Sequence, residues 1–324
     1  MKAIVYRHYG SPDVLQYEEV QKPAAGDIEV LLRVCAAGVN PLDWHFIRGT
    51  PYFIRLVAGL RKPKVARLGV DVAGVVEAVG RNVTRFKPGD EVFGSCRGAF
   101  AEYVCASESA LAMKPENVTF EQAASVPVAA FTALQALRDK GKIHAGQDTL
   151  INGAAGGVGT FAVQIAKSFG ANVTGVCSSR NEPMVRSLGA DRVIDYTRED
   201  FTRGGQRYGL IFDCVGNHSF FACRRVLNPT GIYIGCGGGG PDIRWMIGPM
   251  AQMVAEVVGS WFMSQKPVGL LAKPNLEDLT TVGDLIQAGK VTPVIDRRYP
   301  LDRTAEAIRY LEQGHARGKV VVVC

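Results

Sequence analysis

Apolar and polar positions alternate most clearly between residues 148 and 170, where a strand pattern, a glycine-rich turn and a helix pattern follow one another. Leu150 and Ile151 form the short apolar run of a strand. Beyond the turn, apolar residues recur at helical spacing along one face, at Val158, Ala162, Ile165, Ala166 and Phe169. Gly170 then ends the helix. The segment predicts a strand that leads through a tight turn into an amphipathic helix.

Further apolar runs alternate with a helical pattern after this segment. The predicted strands are Val173–Cys177, Arg192–Ile194, Leu210–Val215 and Ile232–Gly235, and a short helix is predicted over Pro183–Leu188. Because strands that alternate with helices pair in parallel, the pattern predicts a doubly wound parallel sheet of the Rossmann type. Such a sheet binds its ligand outside the carboxyl ends of its strands.

The first 120 or so residues show a different pattern, which is β-rich. The predicted strands are Met1–Tyr6, Ile28–Val34, Val75–Val79, Glu91–Phe93 and Gly98–Val104. At the other end of the chain the strands Val291–Asp296 and Lys319–Val323 flank a helical pattern over Thr304–Glu312. The chain is therefore expected to divide near residue 123.

Composition supports a globular protein of two domains: the chain has 324 residues, of which 47% are hydrophobic and 21% charged. The net charge of +6 is spread along the chain without a basic run, which argues against a nucleic-acid partner. The apolar stretch Ile243–Phe262 is interrupted by Arg244, Gln252 and Glu256, so neither a membrane span nor a membrane partner is predicted. Eight cysteines without a C-x-x-C pair, and no signal-peptide pattern, favour a cytoplasmic location.

The glycine-rich turn carries the first candidate binding site. Ala154, Gly156 and Gly159 occupy the positions of a G-x-G-x-x-G motif, with alanine in place of the first glycine. Small residues there let the backbone N–H groups of a helix N-terminus approach a pyrophosphate. The candidate contacts are Ala155, Gly156, Gly157, Val158 and Gly159. Glycine clusters also mark ordinary turns, and the following strands and helix favour the dinucleotide interpretation.

The end of the second strand indicates which dinucleotide binds. Ser178, Ser179 and Arg180 stand where an NAD-binding fold places an acidic residue for the ribose hydroxyls, and no carboxylate precedes Glu182. An arginine and two hydroxyls suit a 2′-phosphate, which predicts NADPH as the cofactor. The alternative is a solvated arginine beside turn-forming serines.

Several motifs together resemble one protein family. They are Gly38–Asp43, Gly69–Gly74, Lys87–Val92, the glycine turn, Phe131–Ala133, Asp195–Tyr196 and Gly314–Val321. This set resembles the zinc-independent, quinone oxidoreductase-like branch of the medium-chain dehydrogenase/reductase superfamily. The resemblance implies a GroES-like β-rich catalytic domain, residues 1–123 and 289–324, and a Rossmann cofactor domain, residues 124–288. It also implies an active site in the cleft between them, and a homodimer.

The resemblance adds further candidate site residues. It implies that Thr132 faces the nicotinamide side of the cofactor, and that Tyr196 contacts its phosphate or ribose. Val215, at the end of its predicted strand, is a further candidate cofactor contact. Asn40 is the preferred polar group near the nicotinamide or the substrate carbonyl, with Tyr52 as a second candidate donor. The alternatives are a threonine bonded to its own helix and tyrosines that only pack.

The same alignment of motifs bears on metal chemistry. Zinc-dependent relatives of the family place a cysteine at Asn40 and a histidine at Val70, and a valine offers no donor atom. We therefore expect no metal. Without a Lewis acid, conjugated acceptors are favoured, since hydride addition spreads charge into an enolate or quinol. This predicts an NADPH-dependent reductase of quinones or α,β-unsaturated carbonyls.

Two other functions stay open. One is a reductase or dehydrogenase of another small carbonyl or alcohol. The other is a protein that binds NADPH without turnover, as a sensor or scaffold. The glycine run 237–240 and the Met- and Trp-containing segment behind it are either an apolar pocket wall or core packing.

Overall fold

The computed structural model describes residues 1–52, 54–236 and 265–324. The glycine run 237–240 and the apolar segment 243–262 lie outside this range. The strands are β1 (Lys2–Val5), β2 (Gln16–Glu19), β3 (Glu29–Val39), β4 (Asp71–Val79), β5 (Glu91–Ser95), β6 (Tyr103–Ser107), β7 (Leu111–Met113), β8 (Asp148–Asn152), β9 (Asn172–Cys177), β10 (Arg192–Asp195), β11 (Tyr208–Asp213), β12 (Leu227–Gly235), β13 (Lys266–Gly269), β14 (Ile295–Pro300) and β15 (Lys319–Val323). The α-helices are α1 (Pro41–Arg48), α2 (Ile54–Ala58), α3 (Phe120–Ala124), α4 (Pro127–Leu134), α5 (Gly157–Ser168), α6 (Glu182–Ser187), α7 (Phe220–Cys223), α8 (Leu276–Gln287) and α9 (Thr304–Glu312).

The chain forms two compact units. The first contains Met1–Val128, Pro274–Gly289 and Pro293–Cys324, and the second contains Ala129–Lys273 and Lys290–Thr292. The division predicted from the sequence differs mainly at α8, which groups with the first unit. Two hydrogen bonds hold its end there: Asn117 Nδ2 donates to the carbonyl of Ile286, and the N–H of Glu116 donates to Gln287 Oε1.

The first unit is built on a sheet with the order β14-β15-β3-β4-β5-β7, in which β6 also pairs with β3. Along β3 the side chains of Val30, Leu32 and Val34 are buried, as the predicted alternation requires. Antiparallel pairing of β3 with β15 sets Val39 opposite Val320. This register brings the residue after β3, Asn40, close to Lys319 at the start of β15.

Two strands of this unit lie elsewhere than predicted. The strand expected over Gly98–Val104 begins only at Tyr103, because the N–H of Gly98, whose φ is +92°, donates to Gly69 at a turn. The strand expected over Val291–Asp296 instead runs from Ile295 to Pro300. Pro293, which has no N–H to donate to a ladder, precedes it.

The second unit contains six parallel strands in the order β10-β9-β8-β11-β12-β13, which is the doubly wound Rossmann order. The apolar stripe of α5 is buried at Ala162, Ile165 and Ala166, as predicted. The α/β fold class predicted from the sequence is therefore confirmed. Among the described residues, no helix has the length and apolar character needed to cross a membrane.

Candidate active site

The glycine turn joins β8 to α5, and glycine is present at its positions for different structural reasons. A Cβ on Gly159 would lie 2.0 Å from the carbonyl oxygen of Gly153, so this glycine is required for the helix to pack against the turn. A Cβ on Gly156, at the helix N-cap, would have only that oxygen within 4 Å, at a tight 3.3 Å, and no other protein atom near it. The first N–H groups of α5, from Gly157 onward, have no intrahelical acceptor. The turn thus has the form of a cradle for an anion.

A buried carboxylate at the carboxyl end of β11 fixes the loop beside this turn. Asp213 Oδ1 accepts hydrogen bonds of 2.9 Å from Asn152 Nδ2 and from the N–H groups of Val215 and Gly216. Its Oδ2 accepts a hydrogen bond of 2.9 Å from the Tyr233 hydroxyl. These bonds end β11 at Asp213, two residues before the predicted end at Val215.

The same loop brings Val215 against the glycine turn, since a Cβ on Gly153 would lie 2.7 Å from Val215 Cγ2. Ala155 is buried in the turn, and Val158 is half-buried at the start of α5. The predicted contacts in the turn therefore lie together with Val215. Sequence reasoning missed Asn152 and Asp213, although polar residues at the carboxyl ends of buried parallel strands were the signal for them.

The neighbouring ends of β9 and β10 bring the other predicted cofactor residues together. Ser178 follows β9, and its hydroxyl accepts a hydrogen bond of 3.3 Å from Asn181 Nδ2. Ser179 and Arg180 are exposed, and Tyr196, after β10, is more than half exposed. The N–H of Tyr196 donates to the carbonyl of Cys177 at 3.1 Å, which holds the two strand ends in register.

Asp195, at the end of β10, is bonded to the turn that follows it and also to the Ser179 side chain. Hydrogen bonds from the Thr197 N–H and hydroxyl hold the pKa of the Asp195 carboxyl below its usual value. The carboxylate is therefore ionised at neutral pH, and its Oδ1 is directed to Thr197. After β9, Ser178 is half-buried and the side chains of Ser179 and Arg180 are exposed.

Thr132 and Tyr52 have different environments. Thr132 lies within α4 in the second unit and is 6% exposed. Tyr52 lies in the first unit, is more than half exposed, and has the Arg55 guanidinium 4.8 Å from its ring centroid. Their predicted roles toward the cofactor and the acceptor stay predictions.

The first unit contains a buried polar cluster formed by Asn40, Asp43, Asp71 and Lys319, each at most 4% exposed. Lys319 Nζ donates to Asn40 Oδ1 at 2.5 Å and lies 3.7 Å from Asp71 Oδ2. Asn40 Nδ2 donates to Asp71 Oδ2 at 2.9 Å. Asp71 Oδ1 accepts a hydrogen bond of 3.1 Å from the N–H of Val128.

The hydrogen bonds of the Asn40 side chain lie within this cluster. Its amide oxygen accepts from Lys319, and its Nδ2 is directed to Asp71 and, at 3.4 Å, to the Gly38 carbonyl. Both polar ends of the side chain are therefore used within the cluster. In this arrangement Asn40 connects the members of the cluster, and its predicted role toward the nicotinamide or the substrate carbonyl stays a prediction.

The ionisation of the cluster is governed by burial. Burial raises the pKa of Asp43 to about 7, and burial also raises the pKa of Asp71 above its ordinary value. Burial lowers the pKa of Lys319, an effect that the two nearby carboxylates oppose. Asp43 Oδ2 accepts the Asn40 N–H at 2.8 Å, while its Oδ1 has no hydrogen-bond partner among the described residues. A protonated Asp43 fits this environment best.

This protonation predicts how stability depends on pH. Since the folded pKa of Asp43 is about 7 and an unfolded aspartate titrates at roughly 4, the folded chain holds a proton that the unfolded chain releases. This contribution to stability is therefore fully present below about pH 4 and is lost as the pH rises toward 7. We expect Asp43→Asn, which stays neutral, to gain stability relative to the native chain over this range. Urea unfolding of both proteins at several pH values tests this, and a pH-independent difference would contradict it.

No three His, Cys, Asp or Glu side chains converge on a potential metal position within residues 1–52, 54–236 and 265–324. Val70, at one of the positions where zinc-dependent relatives have a ligand, is half-buried.

Comparison with known proteins assigns the chain to a family. Residues 26–116 match the family described as "Alcohol dehydrogenase GroES-like domain", and residues 188–322 match that described as "Zinc-binding dehydrogenase". The chain is 34% identical over 337 residues to an Arabidopsis thaliana protein named NADPH-dependent alkenal/one oxidoreductase, chloroplastic, covering 99% of this chain and 79% of the relative.

Two solved structures resemble the whole chain. The quinone oxidoreductase of Coxiella burnetii is 32% identical, with a TM-score of 0.84 and coverage of 100% of this chain and 99% of that one. The Escherichia coli quinone oxidoreductase complexed with NADPH is 25% identical, with a TM-score of 0.82 and full coverage of both chains. The chain therefore belongs to the medium-chain dehydrogenase/reductase superfamily, in its quinone oxidoreductase-like branch.

Proposed function

We propose that the protein is an NADPH-dependent reductase of quinones or α,β-unsaturated carbonyls. The observation that carries the proposal is the anion cradle at Gly156, together with the half-buried Ser178 and the exposed Ser179 and Arg180 where an NAD-binding fold has an acidic residue. The names of the relatives support it, since one is an NADPH-dependent alkenal/one oxidoreductase and two are quinone oxidoreductases.

The residues of the second unit fit this cofactor. The N–H groups at the start of α5 would hold the pyrophosphate, and Ser178, Ser179 and Arg180 would hold the 2′-phosphate. Tyr196, exposed at the adjacent strand end, would cover the adenosine ribose or its phosphate. When bound, NADPH supplies the hydride. Asp213 holds the Val215 loop against the turn and so keeps the cradle in one shape.

The proposed acceptor class follows from the donor set of the first unit. Val70 offers no ligand atom, and the Asn40 oxygen already accepts the ammonium of Lys319 at 2.5 Å. A zinc ion at this position would be repelled by the positive charge of the Lys319 ammonium. Acceptors whose charge spreads into an enolate or quinol need no Lewis acid, and we therefore propose zinc-independent reduction of conjugated acceptors.

A substitution at the end of β9 tests the cofactor assignment. We expect the double variant Ser178→Asp, Arg180→Ala to lose roughly 10- to 100-fold in kcat/KM with NADPH, because charge-assisted hydrogen bonds to the 2′-phosphate are removed. The added carboxylate should improve the use of NADH. Arg203→Ala, an exposed arginine of the same unit that pairs with Asp200, is the matched control. Unchanged NADPH selectivity of the double variant would refute the assignment.

The zinc-independent chemistry predicts resistance to chelators. Prolonged dialysis against EDTA should leave kcat and KM for the quinone or enone within experimental error, because no residue of the proposed mechanism binds a metal. Metal analysis of the dialysed protein provides the control. Activity that disappears on dialysis and returns with zinc would show that the proposed chemistry is wrong.

Product analysis tests the reaction class. With NADPH and an enone, we expect the saturated ketone, whereas an allylic alcohol would indicate reduction of the carbonyl itself. Tight NADPH binding without any product across quinones, enones, aldehydes and ketones would favour the non-catalytic binder. The homodimer and the cytoplasmic location stay predictions, which sedimentation and cell fractionation would test.

A further inference from the structure

The segment 56–65, which includes the end of α2 and the turn after it, presents an unusual set of apolar side chains to solvent. Leu56, Val57, Leu60 and Val65 are between 43% and 74% exposed. Apolar side chains grouped in this way on a surface commonly mark an interaction site. We call residues 56–65 the basic apolar segment, because of the charges described next.

Basic residues accompany these apolar side chains. Between Asp43 and Asp71 the sequence contains no carboxylate side chain, and its basic residues there are Arg48, Arg55, Arg61, Lys62, Lys64 and Arg67. Two of them have partners: Arg48 pairs with Glu312, and Arg55 lies against the rings of Tyr9 and Tyr52. Arg61, Lys62 and Lys64 are exposed and form no ion pair with any described residue.

The backbone holds this segment in a defined shape. The Tyr9 hydroxyl donates to the Gly59 carbonyl at 2.5 Å, and the N–H of Lys64 donates to the Ala58 carbonyl at 2.7 Å. Gly59 has a φ of +125°, and a Cβ there would lie 2.1 Å from the Lys62 carbonyl oxygen. The tight turn therefore requires glycine and keeps Leu60 and the three exposed cations together.

We propose that the basic apolar segment binds the surface of an anionic phospholipid bilayer. Leu56, Val57 and Leu60 would enter the interfacial region while Arg61, Lys62 and Lys64 contact lipid phosphates. A segment bound in this way lies on the membrane surface, so no helix has to span the bilayer. The proposal does not depend on the proposed reductase function.

Charge argues against two other occupants. A two-fold contact between copies of this chain through the segment would set its cations against themselves. The apolar stretch 237–264 of the same chain contains only Asp242, Arg244 and Glu256 as charged residues, too few acidic groups to match the cations. An anionic bilayer satisfies the apolar and the basic side chains together.

Co-sedimentation of the full chain with vesicles tests the proposal. We expect binding to vesicles that contain phosphatidylglycerol, weak binding to pure phosphatidylcholine, and release at high salt. The triple variant Arg61→Gln, Lys62→Gln, Lys64→Gln should bind roughly 100-fold more weakly, because each cation near an anionic surface contributes about fivefold. The control Lys140→Gln, Lys142→Gln, Lys290→Gln changes the net charge equally at three exposed lysines of the other unit and should bind normally.

A second pair of variants tests the apolar contribution. Leu56→Ser, Leu60→Ser should weaken binding, whereas Ile28→Ser, Leu271→Ser, at exposed apolar residues elsewhere, should not. Absence of vesicle binding by the native chain at low salt would overturn the proposal. Equal losses in the two triple glutamine variants would also overturn it, because binding would then depend on net charge alone. Self-association abolished by Leu56→Ser, Leu60→Ser, without vesicle binding, would assign the segment to a second copy of the chain instead.

Discussion

The variant Gly156→Val is expected to lose NADPH binding while the chain stays folded. A Cβ at this position meets a single protein atom, the Gly153 oxygen at 3.3 Å, so the side chain extends into the space proposed for the pyrophosphate. At least two charge-assisted hydrogen bonds from the start of α5 would be lost, about 3 to 6 kcal/mol together. This corresponds to a loss of affinity of roughly 100-fold or more.

The neighbouring motif glycine provides the control for this result. Gly159→Ala places a Cβ 2.0 Å from the Gly153 oxygen and 2.8 Å from the Ala154 Cα, so it should lower the unfolding temperature. Thermal unfolding and fluorescence titration with NADPH distinguish the two effects. Near-native NADPH affinity in a folded Gly156→Val protein would show that the cradle does not hold the cofactor.

The second large effect is expected at Lys319, in the buried polar cluster. Lys319→Met removes the ammonium that Asn40 Oδ1 and Asp71 contact, and leaves a carboxylate with 0% exposure without its cation. Breaking a buried ion pair from one side costs about 3 to 5 kcal/mol. We expect a loss of that size in the free energy of unfolding, measured by urea denaturation.

A double-mutant cycle separates this pair from a general effect of the substitution. Asp71→Asn with Lys319→Met removes both charges, so the double variant should lose less stability than the sum of the single variants. Lys290→Met, at an exposed lysine, should change stability by about 0.5 kcal/mol or less. If Lys319→Met is as stable as Lys290→Met, the cluster has no role in holding the first unit together.

Elements whose pattern is local were predictable from the sequence. The helix Thr304–Glu312 and the strand Lys319–Val323 have the predicted bounds, because the helix keeps a 3.6-residue periodicity and the strand is a continuous apolar run. The position of β14 was predicted wrongly because the prediction began at the apolar Val291, which lies before Pro293. The observed strand, Ile295–Pro300, is mostly polar. An edge strand of this kind carries little apolar signal.

The glycine turn and the buried polar cluster also differ in how far the sequence predicted them. The glycine turn is continuous in sequence, so its residue types alone predicted an anion cradle. The buried cluster joins Asn40 to Lys319 across 279 residues, and only the register of β3 with β15 brings them together. For this reason the sequence did not identify Lys319 as a neighbour of Asn40. Asp213 was missed because its role depends on the backbone N–H groups of Val215 and Gly216, which donate hydrogen bonds to its carboxylate.

The most direct test of the proposed function is the rate of reduced-nicotinamide loss with purified protein, NADPH and NADH being compared against quinones, enones, simple ketones and aldehydes. We expect selective consumption of NADPH with quinones or enones, unaffected by chelator and absent in Gly156→Val. Equal use of NADH, or turnover confined to simple ketones, aldehydes or alcohols, would contradict it.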